Sequence, residues 1–302
     1  MNNKVIALLL AVVISFGLIY SHPAYAHNFG GDESASFLAK VIEIKTEMNL
    51  LSKHVSESDA IDYYSDALGE YWNANDTKEM EERNTLLQKE IPDTIDATIN
   101  DAKAGNQDAV NVDVSKLNGY LDEAIPVRIN KDKLNNSTVQ ALAVTFVLKE
   151  ALEKYGDATN ATVDLNDMSQ VNMGDNMSGN SMSGMSSMSG SSNVVDQRAY
   201  ENSIGLASGA QQMFNDLAAK NTDISAYNDK TSAAFTKLVQ DLNNKADTNT
   251  IMVDVHVNLH PNLISAYNIQ VVPEFSMPAL LVIISIVGVI AITRFRSIKL
   301  RQ

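Results

Sequence analysis

The chain has 302 residues, with 23 basic and 37 acidic side chains, a formal net charge of −14, and no cysteine. The lack of cysteine excludes disulfides, thiolate metal sites, thiol nucleophiles and iron–sulfur clusters, so the fold must rest on core burial alone. The acidic excess repels phosphate backbones, and nucleic acid is not an expected partner.

Residues 1–26 have the three parts of a secretory signal. Lys4 is the positive start, Val5 to Tyr20 is an apolar run, and Ala24-Tyr25-Ala26 is a small-x-small cleavage site. Cleavage there makes His27 the mature amino terminus. The exported part, residues 27–275, holds 18 basic residues against 37 acidic ones, a formal −19.

Helical patterns follow one another. From Phe37, apolar side chains recur at Val41, Ile44, Met48, Leu51 and Val55 along one helical face, with Asp32 or Ser34 as the cap. A second helix is predicted over 59–73, with Ile61, Tyr64, Leu68 and Tyr71 inward. A third spans 77–102 and is expected to kink or divide at Pro92, which lacks an amide donor. The fourth, marked by Val110, Val114, Leu117, Leu121 and Ala124, ends before Pro126. The fifth runs over 137–155, with Asn136 as its cap and Gly156 at its C-terminal end.

Between Met168 and Gly190 the periodicity stops, and methionines are spaced through serine, glycine and asparagine. Three more helices are predicted near 198–220, 225–244 and 248–268. Period-two alternation is scarce, so the expected class is all-α, built as antiparallel helical bundles. The organisation reads as a helical lobe over 27–158, a flexible Met/Ser/Gly-rich linker over 159–195, and a second lobe over 196–270. Residues 96–125 and 238–267 echo one another, each opening a helix on Val-Asp-Val, at Val112 and Val253. Two related lobes would produce that echo, and so would chance similarity between amphipathic helices.

Beyond the second lobe, residues 271–275 contain Pro273-Glu274-Phe275, residues 276–293 are an apolar run, and residues 294–302 are a basic tail. Eighteen helical residues cover roughly 27 Å, enough for a hydrocarbon core. The tail bases Arg294, Arg296, Lys299 and Arg301 place it in the cytoplasm and the bulk of the chain outside. A Pro-Glu-Phe triplet before an apolar helix and a basic tail resembles the PEF-type C-terminal sorting signals of archaeal surface proteins. That resemblance implies a membrane-embedded sorting transpeptidase of the archaeosortase class as a partner. Ser276 stands where the Pro-Glu-Phe-Gly variant has glycine. FGGDESASFL (residues 29–38), KEMEERN (78–84), LNNSTVQALA (134–143) and HPNLISAYNI (260–269) also resemble stretches of an uncharacterised exported family in ammonia-oxidising archaea. It implies the surface address and the helical fold, and no catalytic residue.

Three constellations have metal-ligand chemistry. His256 and His260 share one helical face, with Met252 one turn earlier, and imidazole with thioether suits copper. His27, as a free terminus, offers an amine and an imidazole, the bidentate half of a copper brace that His54, His256 or His260 would complete. Met182, Met185 and Met188 are thioethers at regular spacing in the linker. Paired histidines at this spacing are more often surface or core residues than ligands. Asn75, Asn135, Asn136, Asn160 and Asn176 head Asn-x-Ser/Thr sequences and are candidates for glycosylation. There is no Gly-x-Ser-x-Gly, phosphate-binding glycine loop, His-Glu-x-x-His or dinucleotide fingerprint. The expected role is non-catalytic, a membrane-anchored surface protein that binds an envelope partner or serves the envelope structurally. The competing reading is a copper-binding or copper-buffering protein.

Overall fold

A computed structural model describes residues 32–167 and 191–270. The signal segment 1–26, His27, Asn176, Met182, Met185, Met188, the Pro273–Phe275 motif, the predicted span 276–293 and the tail 294–302 lie outside the described residues. Among the described residues the chain is all-helical, with one isolated bridge between Ser191 and Ala246, and no helix is long and apolar enough to cross a membrane.

The first helix, α1, is Glu33–Leu51, and Asp32 caps it by accepting from the amides of Ser34 and Ala35. It is followed by α2 (Ser58–Tyr71), α3 (Ala74–Glu81) and α4 (Thr85–Lys103). The expected break at Pro92 does not occur. The chain divides at 82–84 instead, because Asn84 starts a new helix by accepting from Leu86 and Leu87 amides at 3.0 and 3.1 Å. Pro92 sits within α4, where its missing donor costs one intrahelical bond. Gly105, at φ +74°, makes the tight turn into α5 (Gln107–Arg128), which runs through Pro126 rather than stopping before it. After the short α6 (Lys131–Leu134) comes α7 (Ser137–Thr159), capped by Asn136 and closed at Asn160 in the left-handed conformation, beyond Gly156.

The second described segment contains α8 (Gln197–Lys220), a 3₁₀ turn at Thr222–Ile224, and α9 (Ser225–Asn243). Then come α10 (Thr248–Val253), a π-helical turn over Asp254–Leu259, and α11 (His260–Tyr267).

Helix α7 is the centre. Residues 141–145 are all buried, so it is apolar on every side and must be surrounded. It packs on α1, α8, α10 and α11, while α4 and α5 form a hairpin against α1 and α2. One hydrophobic cluster runs from Ala35 to Ile269 and joins both described segments. The two segments expected as lobes therefore share a single core.

The predicted linker boundaries also change. Leu165 and Asn166 are buried, and the amides of Val195 and Asp196 both donate to the Ala158 carbonyl, at 2.8 and 3.2 Å. Ser192 bonds to the Lys245 carbonyl at 2.7 Å. Residues 159–167 and 191–195 are thus fastened to the body, since their buried amides need partners. The chain leaves α7 at Thr159 and returns beside Ala158 to begin α8, so these helices are antiparallel neighbours.

Candidate functional site

The π-helical turn carries two of the sequence-predicted ligands. Inserting an extra residue per turn at 254–259 rotates the helix locally, and it buries Asp254, Val255, His256 and Leu259 together. His256 is 1% exposed and His260 4%, with ring centroids 5.1 Å apart in an edge-to-face arrangement. Met252 is also buried. His256 Nε2 lies 2.7 Å from the Leu165 carbonyl, and because a carbonyl only accepts, Nε2 is the donor. The ring thereby ties the C-terminal helix to the chain just after α7.

Behind this pair, Asp254 is buried and bonds Lys237 at 2.9 Å, while Asp241 takes the other side of the same ammonium. Burial and the neighbouring Asp241 push the Asp254 carboxyl up to about 6, against the pull of Lys237.

His54, the third candidate partner, belongs to a different cluster. It follows α1, and its Nε2 is 2.8 Å from Glu201 and its Nδ1 3.2 Å from Glu57. Arg198 joins them, bonding Glu57 at 2.6 Å and Glu201 at 3.3 Å. Burial would raise the Glu201 carboxyl, but Gln197, His54, Tyr64 and Arg198 together hold it below its usual range. The structure packs His256 against His260, buries Met252 four residues before His256, and leaves His54 in another cluster. Among the described residues no group of three or more histidines and carboxylates is arranged to hold a metal ion.

The four described Asn-x-Ser/Thr asparagines, Asn75, Asn135, Asn136 and Asn160, are all exposed. Asn136 uses its side-chain oxygen to cap α7, accepting from the Thr138 amide at 2.9 Å.

A cluster absent from the sequence expectations lies where α1, α2, α7 and α8 meet. Glu47 and Asn202 are both 0% exposed, and Asn202 Nδ2 donates to Glu47 Oε1 at 2.6 Å. Tyr71 donates to Glu150 at 2.9 Å, and Lys154 pairs with the same Glu150 oxygen at 3.2 Å. Burial, then the charge on Glu150, pushes the half-buried Glu43 up to about 8. Burial likewise raises Glu47 to about 8. The sequence held a signal for it. Glu47 lies one turn from both Ile44 and Leu51, inside the predicted apolar stripe, while Gly205 and Gly209 mark a close helix approach. At Gly205 an added Cβ would come within 2.7 Å of Thr46, and at Gly209 within 2.8 Å of Ile42.

No protein-family model matches the chain, and neither a curated protein nor a solved structure is significantly similar to it.

Proposed function

We propose that the chain is an exported surface protein, anchored through residues 276–293, whose helical body has a non-catalytic binding or structural role at the cell envelope. The observation that carries this reading is the use made of the described histidines. His54 is held among Glu57, Glu201 and Arg198, His256 bonds a backbone carbonyl, and His260 packs on His256. These are side chains used for joining helices, and they leave the acidic, helical exterior as the part that meets other molecules. An envelope protein is the partner this implies, with the membrane at one end and a sorting transpeptidase acting at Pro273-Glu274-Phe275.

Protease treatment of intact cells tests the address. Antibodies to the helical body should report its loss, while the tail epitope survives until lysis. A body cleaved only after lysis would overturn the surface reading.

One observation favours the copper reading as a second. A ligating histidine commonly donates its other ring nitrogen to a backbone carbonyl, and His256 makes such a bond to Leu165. With His260 and Met252 beside it, and the thioethers of Met182, Met185 and Met188 as further donors, a soft ion has coherent chemistry. Against it stands the burial of both imidazoles in a packed core. Titration of the full chain in detergent with Cu(I) separates the readings. Affinity that falls at least tenfold in His256→Ala, in a chain that still folds, supports copper, and unchanged affinity removes the buried pair as ligands.

A further inference from the structure

The Glu47–Asn202 pair is buried, polar and unused by either functional reading. Asn202 donates one amide proton to Glu47 Oε1 and its amide also bonds the Tyr63 hydroxyl, while among the described residues neither Glu47 Oε2 nor Asn202 Oδ1 has a hydrogen-bond partner. Both buried acceptor oxygens of this acid–amide pair are thus left without a donor. Buried polar atoms are rarely left so, because the desolvation penalty is then uncompensated.

Among the described residues Lys154 draws on the Glu47 charge, but it is itself paired to Glu150. On α1 itself Lys40 is bonded to Asp76 at 2.7 Å, and Glu43 adds a second acid one turn away. Helix α7 brings Glu150 with Lys154, and that lysine is paired to Glu150. Helix α2 brings Tyr63, Tyr64, Tyr71 and, farther out, Glu70, none of them positive. On α8, Glu201 is committed to His54, Arg198 and Tyr64. An ionised Glu47 would be a buried charge among acids, in a seam that Gly205 and Gly209 keep too narrow for rearrangement.

We propose that Glu47 and Asn202 form a buried proton-binding site, in which Glu47 takes a proton from solvent on Oε2 and donates it to Asn202 Oδ1. One proton satisfies both oxygens and closes a two-bond acid–amide ring across the α1–α8 seam. The 2.6 Å separation on the other arm is short for an amide donor, as expected of a clasped pair. Burial favours the neutral acid and raises Glu47, against the pull of the Asn202 bond and of Lys154. Loss of the proton leaves two oxygens opposed and a charge between closely packed helices, so alkaline pH loosens the seam.

The test uses the full chain in neutral detergent and reads the infrared C=O stretch of protonated carboxyl groups. At pH 7 the wild type should show protonated-acid absorption of which Glu47→Gln removes one component while that of Glu43 remains, the component being sensitive to deuterium exchange and lost as pH rises toward 10. Glutamine keeps both bonds, so Glu47→Gln should fold and should melt at the wild-type temperature at pH 6. Its melting temperature should then fall less than the wild type's between pH 6 and pH 9. Wild-type absorption unaltered by Glu47→Gln, or a Glu47→Gln chain that fails to fold, would overturn the proposal. So would a sodium, potassium or calcium salt that abolishes that component at constant pH while raising the melting temperature, since the ligand would then be a metal cation.

Discussion

At Glu47 two regular α-helices are brought close enough for one side chain to find its partner on the other, whereas at His256 the helix itself is rewound. The first centre relies on Gly205 and Gly209, which let α8 approach α1. The second relies on the π-helical turn over Asp254–Leu259, which turns His256 toward the Leu165 carbonyl. Both bury polar groups that join distant parts of the chain. The difference is where the accommodation is made: in the spacing between helices at one centre, in the winding of a single helix at the other. The inter-helix solution depends on two missing side chains and should be brittle, while the intra-helix one should yield gradually.

The largest expected effect breaks the first centre. Gly205→Val puts a branched side chain against Thr46, and overpacking there should cost about 3 kcal/mol in urea unfolding. Alanine is a poorer probe, because about 1 kcal/mol of helix propensity offsets its clash. Gly156→Ala, whose Cβ would meet Leu165 no closer than 3.6 Å, is the control and should stabilise by up to about 1 kcal/mol through helix propensity.

Next in size is pH. Glu43 and Glu47, at about 8, and Asp254, at about 6, have folded-state values raised above their unfolded ones by burial. The folded chain therefore holds protons that the unfolded chain has already released. Stability from these groups is full below their unfolded values and falls as pH rises through 6 and then 8. A steady loss of stability between pH 5 and pH 9 is expected from chemical unfolding. Asp32 acts oppositely at the acid end, where Lys133 and the amides of Ala35 and Ser34 outweigh burial and hold it low. Its contribution is lost as pH drops below about 4. Stability that rises from pH 5 to pH 9 would refute the assignment of both acidic centres.

His256→Ala probes the second centre. Removing the ring leaves the Leu165 carbonyl without its donor and should cost about 2 kcal/mol. Amide exchange at 165–167 should quicken while that of α1 stays slow. Uniform acceleration would mean that the two centres are one cooperative unit and would collapse the comparison. The smallest effect is a reference remote from both. Asn84→Ala removes the α4 cap and should cost about 1 kcal/mol, with no dependence on pH between 5 and 9.

Much of the helical order was legible because amphipathic spacing is a local property. The stripe from Phe37 to Leu51 is buried, and the Asp32 and Asn136 caps form as their side-chain chemistry requires. Proline misled the reading twice, at Pro92 and Pro126, since tertiary packing outweighs the loss of one backbone bond. The division into lobes failed for a related reason. A composition break at 168 signals a change in local structure and says nothing about which helices meet afterwards. His256 and His260 were recognised as a pair, but an ideal helix would not foretell their burial, which the π-turn produces. Glu47 was missed because a lone acid in an apolar stripe has no visible partner until Asn202, 155 residues away, is folded against it.

The return of the chain to Ala158 separates the spacing of α7 and α8 from the residues between them. Since Thr159 and Val195 start and finish at one place on the body, the distance between α7 and α8 is fixed by their packing and not by the residues between. The stretch is therefore a place where sequence can be inserted, shortened or exchanged in kind without altering the register of any helix. Whatever chemistry its methionines perform can evolve separately from the scaffold that carries them.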